Sequence, residues 1–316
     1  MTTVSRLSIW SDAPTQTWSW RGFAIAYKSA GSQGPAVVLI HGFGASLGHW
    51  RKNFLVLAES CRVFAIDLLG FGASDKPTPK VKAEYTFETW GQQIADFCRE
   101  VIGESAFLIG NSIGCIVAMQ AAVDHPDMVR GVALINCSLR LLHDRRRATQ
   151  PWLKRVGAPL LQRLLQVKWL GHAFFKQIAR PETVRKILQK AYLCREAVDD
   201  ELIDLLMLPA NDPGAPDVFI AFTGYSQGPL PEDLLEKLPC PALILWGTQD
   251  PWEPFELGQE LARFDCVERF IPLDGVGHCP QDEAPELVNP ILQEWLREKA
   301  NNHPDYNESS RLKPII

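Results

Sequence analysis

Hydrophobic and polar positions along this chain sort into short apolar runs separated by amphipathic stretches. Residues 17–20 and 23–27 alternate around Arg21-Gly22, the pattern of a hairpin. Residues 36–40, 63–66, 106–109, 132–135 and 242–246 are continuous apolar runs, as expected of strands buried on both faces of a parallel sheet. An eighth strand is predicted over 267–273. Helical patterns fall between these runs: 47–59 with Ser46 as N-cap, 86–102 ending before Gly103, and 113–124 stopping at His125-Pro126. Two more helices are expected over 255–263 and 284–299. Strand and helix alternating through short connections predict an α/β fold, a mostly parallel central sheet flanked by helices on both faces.

The rhythm breaks near Cys137 and resumes at Ala242. Residues 1–137 and 231–300 therefore read as the core, 138–230 as a helical cap inserted after the sixth strand, and 301–316 as a polar, frayed tail. There are no internal repeats.

Composition narrows the function classes. Of 316 residues, 46% are hydrophobic and 22% charged, ordinary for a globular chain, and the formal net charge of −5 argues against nucleic acid as a partner. Arg145-Arg146-Arg147 is too short to change that and reads as a solvated helix face. The eight cysteines are scattered and form no Cys-x-x-Cys pair, so no zinc or dithiol site is expected. The first 20 residues lack an apolar core of the secretory kind and no run is long enough to span a membrane, so a reducing, cytoplasmic setting is the expectation.

Candidate chemistry centres on Gly110-Asn111-Ser112-Ile113-Gly114, placed between an apolar strand and a helix-like run. A serine on a strained strand-to-helix turn projects its hydroxyl from the sheet. Crowding there leaves room only for small residues two before and two after it. A serine hydroxyl needs a base and a third group to orient that base. His278 follows the last strand in Gly-Val-Gly-His, and Asp250 follows the run 242–246. Both thus stand at carboxyl ends of strands, where open α/β sheets place their sites. Asp274 is the rival acid, only four residues before His278. Two backbone N–H groups could stabilise an oxyanion: that of Ile113, and that of Phe43 within His41-Gly42-Phe43-Gly44. Trp252, two residues after Asp250, is a candidate pocket wall, with a buried core tryptophan as the alternative.

These motifs together, HGFG, DLLGFGASDKP, GNSIG, WGTQDPWEP and GHCP in this order, resemble the α/β-hydrolase fold family over about residues 17–299. The resemblance implies a serine hydrolase with Ser112 as nucleophile, His278 as base and Asp250 as acid, and needs no cofactor and no metal. His41 takes a structural role in this family, and Asn136 occupies the family's other acid position, which favours Asp250. Members that use an aspartate nucleophile, the haloalkane dehalogenases and epoxide hydrolases, are argued against by serine at 112. The segments WSWRG, HWRKN and WGTQDPWEP resemble more narrowly the cyanobacterial and chloroplast branch with chlorophyll dephytylases and pheophytinases. That implies a bulky apolar ester as small-molecule substrate, with the phytyl ester of chlorophyll or pheophytin as the leading candidate. Cys115 departs from the branch, where many members carry a second glycine. C–C bond hydrolases, cofactor-free haloperoxidase-like enzymes and non-catalytic receptors that retain the triad stay open.

The cap stretch 152–178 carries more apolar residues than one packing stripe needs, beginning with Trp152. A face of this kind suits a long isoprenoid alcohol or a peripheral membrane contact; its alternative use is packing on the core.

Overall fold

The computed structural model describes residues 13–147 and 162–301. Eight strands, β1 (Gln16–Trp20), β2 (Phe23–Ala30), β3 (Ala36–Ile40), β4 (Arg62–Ile66), β5 (Ala106–Asn111), β6 (Val129–Ile135), β7 (Ala242–Gly247) and β8 (Val267–Leu273), form one sheet. Their order is β1-β2-β4-β3-β5-β6-β7-β8. β1 and β2 join antiparallel; every pairing from β4 to β8 is parallel. Alternation along each strand divides the core into two layers. Val38 and Ile40 of β3 enter the layer of the helices α1 (Phe87–Phe97) and α2 (Ile113–Asp124), whereas Val37 and Leu39 enter the layer of Trp50, Phe54 and Trp295. α2 is apolar all round and almost wholly buried, consistent with a helix enclosed on every side.

Three expected helices are divided, that over 255–263 into a helix, Phe255–Gln259, and a 3-10 turn, Glu260–Arg263. Residues 47–59 form a tight 3-10 turn, Leu47–Trp50, and a separate helix, Phe54–Ala58. Ser46 does cap the turn, accepting from the Gly48 N–H, but the Leu47 N–H goes to the distant Asp67 carboxylate, which the local pattern could not reveal. The 86–102 helix ends in a wider π-type turn, Cys98–Ile102, stopped by Gly103 at φ 79°.

Between β6 and β7 the chain leaves the sheet through four longer helices: α3 (Lys168–Ile178), α4 (Pro181–Ala191), α5 (Asp200–Ala210) and α6 (Ala215–Thr223). They pack down on the carboxyl end of the sheet. Leu205 of α5 rests on Gly48, and Val218 of α6 on Gly70. Arg140 draws the two ends of this insertion together. It donates to the Pro229 and Gln227 carbonyls (2.6 Å each), and its guanidinium lies 4.7 Å from the Phe87 ring centre. The chain continues through the helix α7 (Pro285–Asn301), which covers the second layer.

Candidate active site

Ser112 stands at the tip between β5 and α2 with φ 55° and ψ −118°. A non-glycine residue holds such a conformation at a cost of about 1–3 kcal/mol and only where its surroundings enforce it. Here the Ser112 N–H donates to the Ile135 carbonyl (3.1 Å), and its own carbonyl accepts from the Cys115 and Ser138 N–H groups (3.1 Å each). The flanking glycines are sterically required. A Cβ on Gly110 would lie 2.5 Å from the Cys115 nitrogen, and one on Gly114 would lie 2.8 Å from the His41 carbonyl oxygen. Cys115 fits without strain: it is fully buried, and its Sγ lies 3.1 Å from the Gly110 carbonyl oxygen.

His278 and Asp250 meet in loops after β8 and β7, with His278 Nδ1 2.7 Å from Asp250 Oδ2. Asp250 also accepts from Asn136 Nδ2 (2.6 Å) and from the N–H groups of Trp252 (2.8 Å) and Glu253 (3.1 Å). Burial alone would raise its pKa. The hydrogen bond and charge of His278, with the Asn136 and Glu253 donors, outweigh burial and hold the carboxyl below the usual carboxylate range. An ionised Asp250 makes Nδ1 the protonated nitrogen and leaves Nε2 with the lone pair a serine proton could enter. The rival acid, Asp274, is exposed and makes no hydrogen bond to His278. The Ser112 hydroxyl has no hydrogen bond to His278 among the described residues; the two segments are joined one residue earlier. Asn111 Nδ2 donates both to the Ile135 carbonyl (3.1 Å) and to the His278 carbonyl (3.2 Å).

The HGFG turn packs directly on the serine. A Cβ on Gly42 would stand 3.3 Å from Ser112 Cβ. Neither the Phe43 nor the Ile113 N–H has a hydrogen-bond acceptor among the described residues, and both residues line the cavity above the site. His41 anchors the turn, with Nδ1 donating to the Gly42 carbonyl and Nε2 accepting from the Leu68 N–H. Complete burial lowers its pKa to about 4, so it is neutral and structural. The cavity is about 670 Å³ and mostly apolar-walled, with Phe87, Leu141 and Phe222 among its lining. Trp252 also lines it, 42% exposed, its ring centre 4.8 Å from that of His278. Trp152 lies outside the described residues.

The sequence did not anticipate the contacts of three residues that the structure brings to this site. Asn136, at φ 45°, orients Asp250 and also accepts from the Gly247 N–H (3.0 Å). Glu253 accepts from the Ser138 hydroxyl (3.0 Å) and the Leu139 N–H (2.9 Å), and burial pushes its carboxyl up to about 7. His143 sits in a turn on the cavity wall, with Nε2 2.9 Å from the Gly228 carbonyl oxygen. The only sequence signal for Glu253 was its place three residues after Asp250; its partners lie more than a hundred positions away. Among the described residues no group of three His, Cys, Asp or Glu could hold a metal ion.

The sequence profile of the Alpha/beta hydrolase family matches residues 37–291. The chain is 27% identical to the chloroplastic pheophytinase of Arabidopsis thaliana over 86% of its own length, and spans 64% of that relative. It is 26% identical to the 2-hydroxymuconate semialdehyde hydrolase of Pseudomonas sp. (strain CF600), covering 83% of this chain and 87% of that one. The crystal structure of a bacterial membrane phospholipase A superposes with a TM-score of 0.72 at 25% identity, over 94% of this chain and 89% of the other.

Proposed function

This chain belongs to the alpha/beta hydrolase family, and we propose that within it the protein is a serine hydrolase that cleaves a carboxylic ester of a bulky apolar substrate. The observation that carries this reading is the His278–Asp250 hydrogen bond at 2.7 Å, in loops tied through Asn111 to the strained turn of Ser112. In this reading His278 Nε2 takes the Ser112 proton as Oγ attacks the ester carbonyl. The Phe43 and Ile113 N–H groups meet the oxyanion. His278 then protonates the leaving alcohol, and water releases the acyl group from Ser112 by the reverse proton path. Asp250 holds the tautomer and offsets the imidazolium charge. No cofactor is needed.

The apolar cavity and the likeness to a pheophytinase and a phospholipase support a long-chain or pigment ester, with the phytyl ester of chlorophyll-type pigments as the leading candidate. Two experiments test the reading. Ser112→Ala should lose turnover of p-nitrophenyl esters while keeping the wild-type melt, and retained turnover overturns the mechanism. Incubation with chlorophyll a should release chlorophyllide; no product alongside intact model-ester cleavage removes the pigment but keeps the esterase. The likeness to 2-hydroxymuconate semialdehyde hydrolase favours C–C hydrolysis as the second reading. It is distinguished by turnover of a ring-cleavage dienoate in the absence of ester turnover. Covalent labelling of Ser112 by a fluorophosphonate without multiple turnover of either class would point instead to a receptor.

A further inference from the structure

The insertion is unlike the rest of the surface in two ways. Of the twelve large hydrophobic side chains exposed among the described residues, eight lie within 138–230. From Gln162 to Ala191, seven Lys and Arg side chains face a single carboxylate, Glu182, in a chain whose net charge is −5. The two features coincide on consecutive helices. On α3, Trp169, Ala173, Lys176 and Gln177 are all exposed at i, i+4, i+7 and i+8, one face of a helix, and Trp169 is 71% exposed. Leu164 and Val167 are exposed just before it. On α4, Lys186 and Lys190 are exposed one turn apart, beside Ile187. Lys176, Lys186 and Lys190 have no ion-pair partner among the described residues, whereas Lys168 is held by Asp217 and Arg185 by Asp200.

An exposed tryptophan interleaved with unpaired lysines suits neither a packed core nor plain water. It matches the boundary of a bilayer, where the indole sits at headgroup depth and ammonium groups meet lipid phosphates. No helix among the described residues is long and apolar enough to cross a membrane, so contact would be lateral. We propose that α3 and α4 form a docking surface for an anionic lipid bilayer. Gln162, in the short helical segment 162–165 that precedes α3, also lines the cavity, so the docked face adjoins the wall through which an apolar molecule would enter. That last step, delivery of substrate from the lipid, rests on the esterase reading above; the docking does not.

Flotation of the full chain with vesicles tests the surface without any catalytic readout. Wild type should float with phosphatidylcholine vesicles containing phosphatidylglycerol, float much less with pure phosphatidylcholine, and detach at high salt. Each cation near an anionic surface changes partitioning roughly fivefold, so a Lys176→Gln, Lys186→Gln, Lys190→Gln triple variant should bind about a hundredfold more weakly. Trp169→Ser should weaken binding to both vesicle types. Ser112→Ala should float as wild type does, which separates docking from catalysis. Equal binding of wild type and the triple variant, or no flotation with anionic vesicles, overturns the proposal. Concentration-dependent dimerisation that Trp169→Ser abolishes, without vesicle binding, overturns it in favour of a face between two copies of this chain.

Discussion

Replacing Asn136 by Asp tests the electrostatics of the site with a change of one group. The aspartate would keep the acceptor for the Gly247 N–H, and it tolerates the same positive φ. It would, however, put a carboxylate oxygen where a donor now lies 2.6 Å from Asp250 Oδ2. At an effective dielectric constant of about 20, two unit charges at that separation repel by about 6 kcal/mol. The pair can avoid this by sharing a proton. Keeping an acid of ordinary pKa protonated at about pH 8 costs about 5.6 kcal/mol, at about 1.4 kcal/mol per unit. Both routes therefore cost nearly the same at about pH 8. Near pH 4 the second costs almost nothing, and the shared O–H replaces the N–H donor to Asp250, so that only the longer donation to the Gly277 carbonyl (3.3 Å) is lost. A carboxyl whose folded-state pKa is raised contributes stability that is complete below its unfolded value and lost as pH rises through the folded one. Urea denaturation of both proteins should thus show a deficit under about 1.5 kcal/mol near pH 4, within the range of one exchanged hydrogen bond. The deficit should reach about 4–6 kcal/mol, or outright unfolding, near pH 8. A deficit independent of pH, or a variant as stable as wild type near pH 8, would refute the reasoning.

Three further outcomes follow from the same geometry. Gly110→Ala, whose Cβ would meet the Cys115 nitrogen at 2.5 Å, should lower stability by about 1–3 kcal/mol in thermal melts. It should also cut kcat/KM roughly a hundredfold by displacing the serine turn. Gly44→Ala, at φ 69° with no atom within 4 Å, should cost only about 1 kcal/mol; equal losses in the two would count against the steric account. Glu253→Gln mimics the protonated acid. Because burial raises the Glu253 carboxyl to about 7, folding favours its protonated form, and wild type should lose stability relative to the variant as pH rises from 5 to 8. Parallel melting curves across that window would sink the idea. Trp252→Ala should raise KM for a bulky apolar ester roughly tenfold, because the ring borders both the cavity and His278. A wild-type KM in that variant would remove Trp252 from the substrate wall.

Strands with two buried faces were legible because every residue in them must be apolar: Ala36–Ile40 and Ala242–Gly247 admit no polar side chain. The serine turn was legible because its steric demand is local, with Gly110 and Gly114 two residues either side of Ser112. The break of the 47–59 helix was not, since the Leu47 N–H is taken by Asp67 twenty residues on. The hydrogen bonds of Asn136 and Glu253 were hidden for the same reason on a larger scale. Asn136 bonds Asp250 across 114 positions and Glu253 bonds Ser138 across 115, and no periodicity encodes such a pairing. The expectation for the apolar stretch beginning at Trp152 falls partly outside the described residues; of its members, Leu164, Trp169 and Phe174 are exposed.

The histidine loop does not rest on the sheet alone. The His278 N–H donates to the Ala191 carbonyl at the end of α4, and Gly277 packs so closely on that carbonyl that no side chain would fit. Glu283 grips both segments, accepting from the Gly277 N–H on one side and from the Leu193 and Cys194 N–H groups on the other. The insertion is therefore not an interchangeable module. An engineer who grafts a relative's insertion between β6 and β7 removes the peptide from which the His278 loop hangs. A chimera has to transplant 277–283 together with the donor's counterpart of 191–194, and the useful crossover points lie outside both.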